Sequence, residues 1–78
     1  MANKYLKETV LQVVDNQLRA NDPPVTNATY ERLQTLGYTK QQAREAIASV
    51  LLEEMYDVLK SKEPYNEERY AARLNELS

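Results

Sequence analysis

The sequence contains no cysteine and no histidine, and it has only one glycine and three prolines among 78 residues. Without thiolate or imidazole groups, disulfides and the usual zinc sites are excluded. A single glycine also excludes glycine-rich phosphate loops and the Gly-x-Ser-x-Gly nucleophile motif. A catalytic base would have to be an Asp, Glu, Lys or Tyr with a shifted pKa, and the sequence does not cluster such residues. We therefore expect a non-enzymatic protein that uses no cofactor and no metal.

The sequence also lacks a long apolar run. Charged residues interrupt the first 20 positions, which leaves neither a signal-peptide core nor a membrane span. We therefore expect a cytoplasmic protein without a membrane partner. The net charge is −2, and acidic residues outnumber basic ones between positions 53 and 68. This acidic excess argues against a nucleic-acid partner, because it would repel phosphates.

The short chain is expected to form a single helical domain over residues 1–78. A core of this size rarely supplies more than about 3–5 kcal/mol of stability. Disulfides and metals, which stabilise many small proteins, are excluded here. Association with a second chain is the remaining common source of stability.

Apolar spacing and capping residues predict an all-α protein, a compact bundle with a long third helix at its centre. Three main helices and a short C-terminal helix are expected at residues 3–20, 24–36, 40–61 and 67–77. Pro24 suits the first position of helix 2, and Gly37 suits the left-handed position that follows it. Thr39 and Gln42 predict a capping box at the start of helix 3. Helix 2 is expected to bury a face formed by Val25, Ala28, Thr29, Leu33 and Leu36.

Helix 3 has more apolar surface than a peripheral helix needs. At about 100° per residue, its apolar side chains cover well over half of the circumference. A surface helix needs a stripe only somewhat wider than about 100°. Either the other helices cover this entire face, or part of it meets a second chain. The residues predicted for such a seam are Leu52, Met55, Tyr56 and Leu59.

Two polar residues fall on predicted apolar faces, Glu54 in helix 3 and Gln17 in helix 1. A buried carboxylate is costly unless it is hydrogen-bonded or paired, so Glu54 should have a partner from another helix. The candidate partners are Gln17, Asn16 and Arg32. Such a pair usually fixes packing register. The alternative interpretation is a weak ion site between helices, although the histidine of the usual Glu-x-x-His motif is missing.

Residues 33–47 read LQTLGYTKQQAREAI. This stretch resembles the first two helices of ubiquitin-associated-like domains, and it is similar to the small helical domain at the end of bacterial Holliday-junction branch-migration proteins. Those families join two helices through a Leu-Gly-Tyr or Met-Gly-Phe turn and continue with Ala-x-x-Ala-Leu or Ala-x-x-Ala-Ile. Their turn often contributes to a partner-binding patch. The resemblance therefore implies a contact surface at Leu36, Gly37 and Tyr38.

Over nearly its full length the chain resembles a group of short bacterial helical proteins of unknown function. The segments that carry the resemblance are DNQL at 15–18, NDPP at 21–24, GY at 37–38, EEMYDVLK at 53–60 and PYNEERY at 64–70. The resemblance implies a bacterial cytoplasmic setting.

A structural or protein-interaction module is the function that the sequence favours, with an unknown protein or a second copy of the chain as partner. A helix-turn-helix nucleic-acid-binding protein is the alternative. Its recognition helix would present Lys40, Gln41, Gln42 and Arg44. A bundle that binds a small ligand or lipid is a third hypothesis, based only on the wide apolar face of helix 3.

Overall fold

The computed structural model describes residues 4–78, which form a compact bundle of four α-helices and contain no β-strand. The helices are α1 (Lys4–Ala20), α2 (Pro24–Thr35), α3 (Lys40–Ser61) and α4 (Glu67–Asn75). The predicted all-α class is thus confirmed, while the predicted start of helix 1 at Asn3 lies outside the described residues. Within residues 4–78, none of the helices combines the length and the apolar character needed to cross a membrane.

Proline sets the turn between α1 and α2. Asn21 has a positive φ of 52°, and the peptide bond between Asp22 and Pro23 is cis. Pro23 is extended, with φ −75° and ψ 151°, and Pro24 begins α2 at the predicted position. A proline fits there because the first helical residue needs no hydrogen-bonded N–H and its fixed φ is already helical.

Gly37 ends α2. Its φ of 106° is left-handed, as predicted, and favours glycine. The Gly37 N–H donates to the Gln34 carbonyl at 3.1 Å, and the Tyr38 N–H donates to the Leu33 carbonyl at 3.0 Å. This pair of bonds is the Schellman arrangement, which satisfies carbonyls left unpaired at a helix end. It turns the chain directly into α3.

The predicted capping box begins α3. The Thr39 Oγ1 accepts from the Gln42 N–H at 3.0 Å, and the Gln42 Oε1 accepts from the Thr39 N–H at 2.9 Å. The helix then continues without interruption to Ser61, where Lys62 takes a left-handed conformation. Its bounds match the predicted range of 40–61.

Helix α4 is shorter than the predicted range of 67–77. Asn66 is its N-cap and accepts from the Arg69 N–H at 3.0 Å, but the helix stops at Asn75. Its last turn tightens, because the Glu76 and Leu77 N–H groups bond only three residues back. Arg32 of α2 donates to the carbonyls of Leu74 and Leu77 and so satisfies the end of the helix from outside.

Helix α3 lies at the centre of the core and packs against all three other helices. The buried apolar side chains of the core are Val10, Val14, Leu33, Ala43, Ile47, Ala48, Val50, Leu51, Tyr70 and Leu74. The predicted face of α2 is wrong in part: Ala28 and Leu36 are exposed, whereas Thr26 is fully buried. Thr26 can be buried because its hydroxyl donates to the Gln17 Oε1 at 2.8 Å.

Candidate protein-interaction surface

The second half of α3 carries large apolar side chains that are not covered. Met55 is 37% exposed, Tyr56 57% and Leu59 73%, while Leu52 is half-buried. Together these four residues, which we call the α3 patch, extend over two turns of the helix. They are the residues predicted for a seam with a second chain.

Leu52 still packs against the core, whereas Met55, Tyr56 and Leu59 are exposed because their side of α3 faces away from the buried Glu54. Leu52 is about 160° and Leu59 about 140° around the helix from the buried Glu54. Helix α4 returns along the Glu54 side and is only 9 residues long, compared with 22 for α3. The outer face at this end therefore has no covering helix within residues 4–78.

A shallow groove borders the α3 patch. Its volume is about 240 Å³, and it is lined by Glu54, Met55, Val58, Leu59 and Tyr65. Tyr65 is 47% exposed, and its ring centroid lies 6.0 Å from that of Tyr70. The groove is smaller than the roughly 300–1,000 Å³ typical of small-molecule sites, so it suits one inserted side chain better than a ligand. The sequence analysis singled out Glu54, Met55 and Leu59 but did not predict that Tyr65 would close a groove beside them.

Beneath the groove, Glu54 is fully buried and holds the start of α4. Its Oε1 accepts from Arg69 Nε at 2.8 Å, and its Oε2 accepts from Arg69 Nη2 at 2.5 Å. The Oε2 also accepts from the Asn66 N–H at 3.2 Å. Arg73 Nη1 lies 3.6 Å from the Glu54 Oε1, and Arg73 also pairs with Asp57. The carboxylate therefore has several partners, as a buried charge requires.

These contacts fix the charge of the cluster. The hydrogen bond from Arg69 lowers the pKa of Glu54, in opposition to burial, which would raise it. The hydrogen bond from Arg73 likewise lowers the pKa of Asp57. Both carboxylates are thus held ionised and neutralised by arginine. A metal ion at Glu54 would have to displace a guanidinium group, and an ionised carboxylate paired in this way is poorly suited to general acid catalysis.

The predicted partners of Glu54 are wrong. Gln17 is half-buried, but its Oε1 accepts from Thr26 Oγ1 at 2.8 Å and from Tyr70 Oη at 3.0 Å. Asn16 is exposed, and Arg32 caps the end of α4. Arg69 and Arg73 were missed, although their spacing of one helical turn on α4 matches that of Glu54 and Asp57 on α3.

The turn at Gly37 offers a smaller surface. Leu36 is 57% exposed, whereas Tyr38 is half-buried and its hydroxyl donates to the Ser78 carbonyl at 2.6 Å. Apart from Gly37 and its two neighbours in the chain, no heavy atom of the described residues lies within 4 Å of the position that a Gly37 Cβ would take. The residues implied by the resemblance thus lie together, but only one large apolar side chain protrudes.

The start of α3 is poorly suited to reading DNA. Arg44 donates to both carboxylate oxygens of Asp15, at 2.7 and 2.9 Å. Its remaining nitrogen donates to Gln41 at 2.5 Å, and Gln41 in turn donates to Glu45 at 3.0 Å. The Gln42 side chain completes the capping box with Thr39. Three of the four residues predicted to face DNA are therefore engaged within the protein.

Comparison with known proteins gives no family to which the chain can be assigned: no family model, no curated protein and no solved structure is significantly similar to it.

Proposed function

We propose that the chain is a non-enzymatic protein-interaction module that binds its partner through the α3 patch and the adjoining groove. The observation that carries the proposal is the exposure of Met55, Tyr56 and Leu59 side by side on one helix face. Single exposed apolar residues are ordinary on protein surfaces. A contiguous group that includes a tyrosine and a methionine is typical of contact surfaces.

The contacts beneath the α3 patch support the proposal, because they tie the start of α4, beside the groove wall, to α3. Glu54 ties α3 to α4 through Arg69 and the Asn66 N–H. The groove wall formed by Tyr65 is therefore fixed relative to Met55 and Leu59 before any partner arrives. A rigid surface loses less conformational entropy on binding. We further propose a bacterial cytoplasmic setting, which rests on the sequence resemblance and on the absence of cysteine.

Site-specific photo-crosslinking in the cells that naturally produce the protein tests the proposal. A benzophenone side chain is placed at position 56, in the α3 patch, at position 36, in the Gly37 turn, and at position 12, an exposed site on α1 that serves as the control. We expect an adduct from position 56 that is absent from position 12 and that disappears with Leu59→Lys. Equal labelling from both positions, or none from position 56, would overturn the proposal. An adduct obtained only from position 36 would move the surface to the Gly37 turn and would also overturn it.

A further inference from the structure

We infer that the partner of the α3 patch is a second copy of the chain, whose α3 packs antiparallel against the first. The inference rests on the proposed function and specifies its partner. Leu52, Tyr56 and Leu59 are spaced by four and then three residues, which is the spacing of the contact stripe in paired helices. Such a stripe can pack against an identical stripe through a two-fold axis.

The charges beside the stripe select the antiparallel orientation. Glu53 follows Leu52 and Lys60 follows Leu59, so both lie on the same edge of the stripe, two turns apart. Both side chains are exposed, and neither forms a salt bridge within residues 4–78. Charges in these flanking positions set the orientation of paired helices.

In an antiparallel pair, this edge of one helix faces the same edge of the other helix in reverse order. Glu53 of each copy then meets Lys60 of the other copy, which gives two ion pairs by symmetry. In a parallel pair, the same edge would face the opposite edge, which carries Ala48 and Met55, and no ion pair would form. The charge pattern is therefore complementary to itself only in the antiparallel arrangement.

Affinity and orientation would come from different residues. The apolar side chains of the α3 patch supply the area removed from water. The exposed ion pairs contribute little affinity and mainly disfavour the wrong arrangement. Because the stripe covers only two turns, we expect a dissociation constant between about 10 µM and about 1 mM.

Sedimentation equilibrium of the full chain over a concentration series up to about 2 mM measures this association. We expect a monomer–dimer equilibrium. Leu59→Lys should weaken it by about 100-fold or more, because it places a charge in the contact. Leu36→Lys makes the same change at another exposed leucine, in the Gly37 turn, and is the matched control that should leave self-association unchanged. A monomer at every concentration, or equal effects of the two variants, would overturn the inference.

Charge reversal tests the orientation. Glu53→Lys alone and Lys60→Glu alone should each weaken self-association by about tenfold, because like charges would then face each other. An equimolar mixture of the two variants should associate at least as tightly as the original chain, because every facing pair is again opposite. If the mixture associates no better than either variant alone, the antiparallel arrangement is wrong.

The two proposals fail separately. If the chain is a monomer but still crosslinks from position 56 to a different protein, self-association is wrong and the proposed interaction module stands. If the chain is a monomer and gives no specific crosslink, both proposals are wrong.

Discussion

The two halves of α3 lie on one unbroken helix, yet they differ in how many of their apolar side chains are buried. Residues 40–51 contribute five buried apolar side chains, Ala43, Ile47, Ala48, Val50 and Leu51. In residues 52–61 the only fully buried side chain is that of Glu54. Apolar residues are present in both halves, so composition does not explain the contrast. The neighbouring helices do explain it. Helix α1 pairs with the first half through Asp15–Arg44 and Lys7–Glu45, whereas the short α4 pairs with the second half through Glu54 and Asp57.

The two halves are also stabilised by different forces. The first half removes aliphatic surface from water, which gives stability in proportion to area. The second half is tied to α4 by ion pairs and hydrogen bonds around Glu54, in which Arg69 and Arg73 remain partly exposed. Such ion pairs contribute less net stability than the burial of aliphatic surface, because the charges lose solvation when they pair. The protein thus keeps its second half ordered while leaving the α3 patch uncovered.

The largest expected effect comes from truncating matched aliphatic residues in the two halves. Ile47 is fully buried and Leu59 is 73% exposed. We expect Ile47→Ala to lower the free energy of unfolding by about 2–4 kcal/mol, because it leaves a cavity. Leu59→Ala should change it by less than about 0.5 kcal/mol in dilute solution. Urea denaturation measures both, and comparable losses would mean that Leu59 is covered even in the monomer.

The next effect comes from the buried carboxylate. Glu54→Gln keeps the size of the side chain but removes the charge that faces Arg69 and Arg73. We expect a loss of about 1–3 kcal/mol near neutral pH, at the lower end of what breaking a buried pair costs, because the arginines can recover water. Glu53→Gln, one residue away and exposed, is the control and should have almost no effect. Equal stability of Glu54→Gln and the original chain would contradict this role of the cluster.

The lowered pKa of Glu54 also predicts that the stability of the chain depends on pH, and Glu54→Gln tests this dependence. The pKa of Glu54 lies below its ordinary 4.5 in the folded state, so the folded chain binds fewer protons there than the unfolded chain. Its stabilising contribution is therefore fully present above about pH 4.5 and is lost as pH falls through the lower folded value. Urea titrations of the original chain and Glu54→Gln should converge as the solution is acidified. If the difference between their free energies of unfolding stayed constant as pH fell, the charge of Glu54 would not be the cause of that difference.

Local signals predicted the helices well, because they depend on neighbours in the sequence. Pro24, Gly37 and the Thr39–Gln42 capping box each act within one turn, and each lies where it was expected. The spacing of α3 likewise placed Glu54 on its inner face, where the side chain is fully buried.

Tertiary features were predicted poorly. The partners of Glu54 depend on how α4 returns after Pro64, which no local pattern fixes. Thr26 is buried only because Gln17 of another helix accepts its hydroxyl, so hydrophobicity could not identify it. The sequence showed that α3 is apolar around most of its circumference. It named Leu52, Met55, Tyr56 and Leu59 as a possible seam, but it could not decide whether another helix would cover them, because that depends on the length and direction of α4.

The smallest expected effect concerns another polar link to α4, the hydrogen bond between Tyr70 and Gln17. Tyr70 is fully buried, and its hydroxyl donates to the Gln17 Oε1 at 3.0 Å. Tyr70→Phe keeps the ring and removes this bond, so we expect a loss of about 0.5–1.5 kcal/mol near neutral pH. Tyr56→Phe, on the exposed α3 patch, should cost nothing measurable. Urea denaturation measures the free energy of unfolding of both variants and so compares a buried tyrosine with an exposed one.

Alkaline titration gives this contrast an independent measure. Burial raises the pKa of Tyr70 to about 12, from an ordinary value of 10.0. As pH rises past 10, the unfolded chain loses this proton before the folded chain does, so the contribution of Tyr70 to stability declines between about pH 10 and 12. Burial also raises the pKa of Tyr65. Tyrosinate absorbance, followed while circular dichroism shows the helices intact, should reveal a late step near pH 12 that belongs to Tyr70. That late step should vanish in Tyr70→Phe and persist in Tyr56→Phe. If the folded chain showed no late step that Tyr70→Phe removes, the hydroxyl of Tyr70 would be open to water, and α4 would be held mainly by the Glu54 cluster and by Arg32.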